Sequence, residues 1–307
     1  MRKTLYIIVM MVSAMVLTFT SCSKWTEPNA VKLNIIYPWD RDPATWEDYF
    51  QRLRQYKERK HYITFAEFDN ASEKPAGEQD YLRCLPDSLD YISLTNAAAF
   101  RDADREDLSL MHRKGTKVLY TIDMAQVSAR YPEASQFSSF LQEAVSMVEK
   151  EGLDGWTVTA DLPAGDEQMK ARFDETVATL SAIEGKSLVY FGNFYHLSDQ
   201  SLTDAFDLFV INTLDKEYEA DIKFSIMMAK ESSPNMKDKI LIAGSIGTEI
   251  TDSQLREREA LDLMSELVFS EGPIAGLAIF NIKSDYYYTE SNYKKTKGLI
   301  QKLNPSK

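Results

Sequence analysis

The sequence predicts an α/β fold, a single (β/α)8 barrel, from three observations. Eight short apolar, β-rich runs recur along the chain, helical patterns lie between most of them, and no composition shift or low-complexity linker divides the series. Near-continuous apolar strands alternating with amphipathic helices make a parallel sheet covered on its faces. Eight units at a spacing of about 30 residues favour a closed barrel over an open doubly wound sheet. The length of 307 residues accommodates one such barrel, and 44% hydrophobic with 27% charged residues is globular composition, which excludes a disordered or fibrous chain.

Taken in order, residues 1–21 read as a signal peptide. Arg2 and Lys3 precede the apolar run Tyr6–Phe19, and small residues follow. That run is too short for a bilayer span, which takes about 20 residues. Cys22, directly after Thr20-Ser21, resembles the acylated cysteine of a bacterial lipobox, so the expected location is the outer membrane or cell surface, held by lipid on Cys22. Residues 22–30 are polar with Pro28 and form a tether, leaving 31–307 for the barrel. Trp46–Lys60 carries aromatic and apolar residues at helical spacing. Strands are expected at Tyr62–Ala66, Asp90–Leu94, Lys117–Ile122, Gly155–Thr159, Ser187–Phe191, Asp207–Ile211, Lys239–Ala243 and Gly276–Phe280. Helices are expected at Phe137–Lys150, Gln168–Ile183, Ser253–Phe269 and Ser291–Leu303.

Charge and composition remove several function classes. With 47 Asp+Glu against 35 Lys+Arg the net charge is -12, or -14 once Arg2 and Lys3 leave with the leader (33 against 47). That balance argues against a nucleic-acid partner, since phosphate-backbone affinity comes from clustered Lys and Arg. Two cysteines exclude a disulfide scaffold, and if Cys22 carries lipid then Cys84 is a free, buried thiol. Three scattered histidines, His61, His112 and His196, are best read as structural, and no metal or cofactor is expected. Neither a G-x-G-x-x-G after the first strand nor a P-loop is present.

In a barrel of this kind the functional site lies at the C-terminal ends of the strands. Those positions offer Glu67 and Asp69, Thr95 and Asn96, Asp123, Asp161, Asn193 and Tyr195, Asn212 and Asp215, Ser245, Asn281, Lys283, Asp285 and Tyr286. Amides, carboxylates and phenols suit a hydroxyl-rich ligand, with aromatic faces for sugar rings. Of the run Tyr286-Tyr287-Tyr288, two rings packing under the final helix and all three serving a sugar site are equally open readings.

The fourth strand carries the most specific signal. Glu151-Gly-Leu-Asp-Gly-Trp-Thr-Val-Thr-Ala-Asp161 resembles the D-x-x-D-x-D-x-E pattern of glycoside hydrolase family eighteen, the chitinases and endo-β-N-acetylglucosaminidases. The start Cys22-Ser-Lys-Trp-Thr-Glu-Pro28 and Pro86-Asp-Ser-Leu-Asp90 resemble lipoproteins of that kind from glycan-foraging bacteria. The resemblance implies that the last acid protonates the leaving oxygen while the preceding aspartate orients the substrate's N-acetyl group, the substrate-assisted exception to the two-carboxylate scheme.

Laid on the pattern, Asp154 takes the first aspartate, Thr157 and Thr159 the next two positions, and Asp161 that of the glutamate. Threonine supplies no charge to a developing cation, and a carboxyl withdrawn by about an ångström can cost roughly 100-fold. The expectation is therefore a non-hydrolytic glycan binder, contacting oligosaccharide or glycoprotein glycan through Thr157, Thr159, Asp161, Glu67, Asn96, Asp123, Asn193, Tyr195, Asn212, Asn281, Asp285 and Tyr286. It would feed an outer-membrane glycan transporter. The alternatives are an active endo-β-N-acetylglucosaminidase with Asp161, Glu67 or Asp123 as its acid, and an assembly subunit with a vestigial mouth.

Overall fold

All eight apolar runs become strands of one closed parallel barrel in the computed structural model, which describes residues 36–70, 75–161, 165–194, 197, 200–232, 236–288 and 290–305. The leader, Cys22, the tether and Tyr195 lie outside the described residues. The wall consists of β1 (Ile63–Phe68), β2 (Tyr91–Leu94), β3 (Lys117–Asp123), β4 (Gly155–Ala160), β5 (Ser187–Gly192), β6 (Leu208–Ile211), β7 (Ile240–Ser245) and, after a hairpin of β8 (Glu249–Thr251) and β9 (Glu257–Glu259), β10 (Gly276–Phe280). Each strand pairs with its neighbour in sequence, and β1 closes the ring on β10 with Ile63 beside Gly276.

Alternate residues of a strand share one face. The inward set, among them Phe65, Leu119, Val189, Val210, Leu241 and Ala278, forms one buried cluster, so the barrel is filled with side chains. Each of its valine, leucine and phenylalanine side chains gains about 1.5–3 kcal/mol on burial, and a one-residue slip would turn the whole set outward. Phe191 and Phe280 cap this cluster with ring centroids 4.8 Å apart, forming a floor for the mouth.

The helices are α1 (Pro38–Arg41), α2 (Pro43–Glu58), α3 (Asp102–Arg113), α4 (Met124–Arg130), α5 (Ala134–Glu151), α6 (Glu167–Ser181), α7 (Gln200–Asp204), α8 (Glu219–Ser232), α9 (Ala260–Ser270) and α10 (Lys294–Leu303). The unit that carries the barrel is Glu47–Lys307. In the residues before it, Tyr37 stacks on Trp39, which meets Trp46 edge-on.

One expected helix is corrected. Of Ser253–Phe269, only the part from Ala260 is helical, because Asp252 folds the preceding segment into a tight turn. Its carboxylate accepts from the Gln254 and Arg256 amides and from the Arg256 guanidinium, and these hydrogen bonds, that of the guanidinium foremost, hold the carboxyl down to about 2. Helical spacing of apolar residues could not report that local competition. Cys84 is a free thiol but half-buried rather than buried, and burial pushes its pKa up.

The Glu151–Gly155 stretch shows why its residues stand in that order. α5 buries Phe137, Leu141, Ala144 and Val148 on one stripe and ends at Gly152, whose φ of 76° is the left-handed C-cap that favours glycine. Leu153 is wholly buried and returns its amide to Val148. Asp154 then accepts from the Val118 amide at 2.8 Å, and Gly155 brings β4 so close to β5 that a Cβ there would lie 1.9 Å from the Ser187 oxygen.

Asp154 is one of three. Asp90 Oδ2 accepts from the Thr64 amide at 2.8 Å and Asp207 Oδ2 from the Leu188 amide at 3.0 Å, so each aspartate entering β2, β4 or β6 grips the second residue of the preceding strand. Two of them also hold a histidine, with His61 Nε2 2.9 Å from Asp90 and His112 Nε2 3.0 Å from Asp154. This end of the barrel is a fastening, as expected for both histidines.

Candidate functional site

Following the inward face upward from the core places the sequence-derived residues. Thr121 pairs with Thr157 and Asp123 with Thr159 across β3 and β4, while Thr157 and Thr159 pair with Val189 and Phe191 on β5. The two threonines and Asp161 therefore share the inward parity of Val189 and Phe191, as the motif spacing requires. Trp156, of opposite parity, is fully buried behind the wall.

Thr157 is buried and joined to its neighbours by hydroxyls alone. Ser93 Oγ donates to Thr157 Oγ1 at 2.8 Å and lies 2.6 Å from Thr121 Oγ1. Thr157 is thus one of three neutral hydroxyls on the adjacent strands β2, β3 and β4. Sequence reasoning missed Ser93 and Thr121, although the inward parity of β2 and β3 contains both.

Asp161 stands exposed at the end of β4, with both carboxylate oxygens engaged. Oδ1 accepts from the Asn193 amide at 2.9 Å and Oδ2 from Asn212 Nδ2 at 2.8 Å. The rows Ala160–Gly192 and Gly192–Ile211 put these three residues one step beyond the ladder, side by side on β4, β5 and β6. Tyr190 braces the group from behind, its hydroxyl donating to the carbonyls of Ala160 (2.8 Å) and Asn193 (2.5 Å). Burial, then the charge of Asp161, raises the Tyr190 pKa, so the phenol stays a donor. The Asn193 Oδ1 atom is buried without a partner.

A second group gathers where β1, β2 and β10 end. Asn96 Nδ2 donates to Asp69 Oδ1 at 2.6 Å. Lys283 Nζ reaches the Asp69 carbonyl at 3.1 Å, its carboxylate at 3.5 Å and the Asp80 carboxylate. Glu67, half-buried on the inward face of β1 and level with Ser93, completes this side; burial first and Asp69 second push its carboxyl above the usual range.

Four expected contact residues stand differently. Asp123 is committed to its own helix, its Oδ1 accepting from the Ala125 and Gln126 amides and its Oδ2 from Gln126 Nε2. Asp285 is fully buried and turned away from the mouth, accepting from the Lys295 and Thr296 amides and from Thr296 Oγ1 to cap α10, because the free N–H groups of a helix start demand an acceptor. Tyr286 is 3% exposed and donates to Glu78 at 2.6 Å, so it is a packing residue, whereas Tyr287 and Tyr288 are exposed. Asn281, exposed with φ 54°, spends its amide on the Ile246 carbonyl at 3.3 Å. The mouth thus brings together Thr157, Thr159, Asp161, Asn193 and Asn212 on one side and Glu67 and Asn96 on the other.

Residues 26–159 match the family Glycoside hydrolase family 18, BT1044-like. No curated protein matches the chain. Among solved structures, a selenomethionine form of BT1044 with one glutamate changed to glutamine aligns with TM-score 0.66 at 19% identity, covering 85% of this chain and 94% of its own. The apo endo-β-N-acetylglucosaminidase from Cordyceps militaris aligns at 0.63 and 17% identity, over 83% and 95%. A mutant of that enzyme holds fucosyl-N-acetylglucosamine-Asn. A chitinase from Bacteroides thetaiotaomicron aligns at 0.58 and 10%, over 80% and 97%. At these identities the structural likeness is one of fold. The chain thus shares the barrel fold of these solved structures, and residues 26–159 carry its similarity to the BT1044-like group of glycoside hydrolase family 18.

Proposed function

We propose that the mouth binds an N-acetylglucosamine-containing oligosaccharide, such as an N-glycan, without hydrolysing it by the family's substrate-assisted route. The observation that carries this reading is the fourth strand. Thr157 and Thr159 occupy inward positions where the pattern has aspartates, and Thr157 is absorbed into a hydroxyl cluster with Ser93 and Thr121. Neither side chain supplies charge to a developing oxazolinium ion. Asp161 is a fixed acceptor of two hydrogen bonds, shorter by one methylene than the glutamate of the pattern. The polar rim above a Phe191–Phe280 floor supports sugar binding, since hydroxyls find donors and acceptors there and a ring face finds an apolar surface.

The basic n-region, apolar run and Cys22 support a lipid-anchored place at the outer membrane, where captured glycan would pass to a transporter. Calorimetric titration of the full chain with N-glycans and chito-oligosaccharides, alongside mass spectrometry of N-glycoproteins incubated with it, tests the reading. Binding with no released glycan is the expected result. Release that disappears in Asp161→Ala replaces it with an active endoglycosidase, and no binding at millimolar ligand overturns it.

A further inference from the structure

We infer that Glu67 is the ligand-contacting carboxyl of the mouth and that it meets an uncharged oligosaccharide as a hydrogen-bond donor to one of the sugar's oxygens. The inference rests on the glycan-binding reading of the mouth and adds to it which group discriminates and how pH controls it.

Glu67 shares the inward parity of Ile63 and Phe65 and lies level with Ser93, the start of the hydroxyl cluster that ends at Thr157. Unlike five other carboxylates at the barrel's upper end, it is uncommitted. Asp69 has Asn96 and Lys283, Asp80 has Lys283, Asp123 caps α4, Asp285 caps α10 and Asp161 has Asn193 and Asn212. Glu67 makes no hydrogen bond and no ion pair in the described residues. A carboxyl half-removed from water without a donor is costly as an anion and cheap as a neutral acid.

Its surroundings keep it so. β2 presents Ser93 above Tyr91, β10 presents Ala278 and Phe280, Asp69 follows β1 itself, and the cation after β10, Lys283, is already held by Asp69 and Asp80. Burial and the like charge of Asp69 raise the Glu67 pKa. A neutral carboxyl donates one hydrogen bond and accepts others, which suits a glycosidic, hydroxyl or acetamido oxygen. Ionisation removes the donor and sets a second negative charge beside Asp69, which also disfavours sialylated or uronic sugars.

The experiment is calorimetric titration of the full chain and of Glu67→Gln with tri-N-acetylchitotriose from about pH 4 to about pH 8, a range that starts at the ordinary value of a glutamate and runs upward, the direction in which Glu67 is shifted. Wild-type affinity should fall with rising pH, by up to about tenfold for each unit above the carboxyl's midpoint. Glu67→Gln, which keeps a donor and carries no charge, should bind with a flat profile near the low-pH wild-type value. The 13C carboxyl resonance of Glu67 should titrate in the free chain, with its midpoint moved up by ligand. Binding that does not vary with pH, or a slope that persists in Glu67→Gln, overturns the role of Glu67 and leaves the glycan reading standing. Absence of binding at any pH overturns both.

Discussion

The two ends of the barrel use the same residue types to opposite purpose. At the N-terminal end every aspartate that enters an even strand is spent on a neighbouring amide, and lysines close over carbonyls, as Lys239 Nζ does on Phe206 at 2.7 Å. At the C-terminal end Asp69 and Asp161 join side chains from other strands, Asp123 and Asp285 cap helices, and Glu67 is uncommitted. The stretch Gly152–Asp161 runs from one end to the other, so its first acid fastens the fold and its last faces the mouth. A family pattern read as a single catalytic unit thus contains a structural half and a chemical half. In this chain Asp154 serves the fold, and Thr157, Thr159 and Asp161 stand on the inward row that leads to the mouth.

The largest effect expected on the fastened end comes from Gly155→Val. A Cβ 1.9 Å from the Ser187 oxygen forces β4 and β5 apart, so denaturant titration should show a loss of about 4 kcal/mol or more, or no folded protein. Next, Asp154→Ala leaves the Val118 amide without its acceptor and should cost about 1–3 kcal/mol, seen as a lower unfolding midpoint with unaltered glycan affinity. Asp161→Ala should do the reverse, lowering affinity while moving the midpoint by less than about 1 kcal/mol. Equal midpoint losses with no change in affinity would erase the contrast between the ends.

The smallest effect is in pH, and it separates the ends by window. The hydrogen bond and charge of Asp154 raise the pKa of His112; for His61, burial opposes charging but the hydrogen bond and charge of Asp90 outweigh it. A base with a raised folded pKa contributes stability that is present below its unfolded value, about 6.5, and is lost as pH climbs through the folded value. With His112 41% exposed, its share should stay below about 1 kcal/mol. Glu67 also binds its proton more tightly when folded, so stability falls there too as pH rises, but in the lower window that starts at its ordinary value, about 4.3. Melting curves across pH should show Asp154→Asn removing part of the upper fall and Glu67→Gln the lower one.

Much of the barrel was legible because its signal is local. The runs around Phe65, Val118 and Ile242 are apolar whatever lies beside them, and the period of two sorts each strand into faces. The same period placed Thr157, Thr159 and Asp161 together. It could not say that Asp123 would close on its own helix, that Asp285 would turn under α10, or that Asp252 would replace the start of a helix by a turn. In each case a short acidic side chain had several backbone donors within reach, and folding chose among them.

By itself the sequence determined the strand count, their parallel order and the inward row on β4, since hydrophobic burial and strand periodicity act residue by residue. Only the tertiary structure decided which polar groups are engaged. Asp161 meets Asn212 from 51 positions away and Lys283 meets Asp69 from 214. Barrel closure creates those contacts by bringing strand ends into one ring, so it becomes visible only in the folded chain that Asp69 and Asp161 find partners while Glu67 does not.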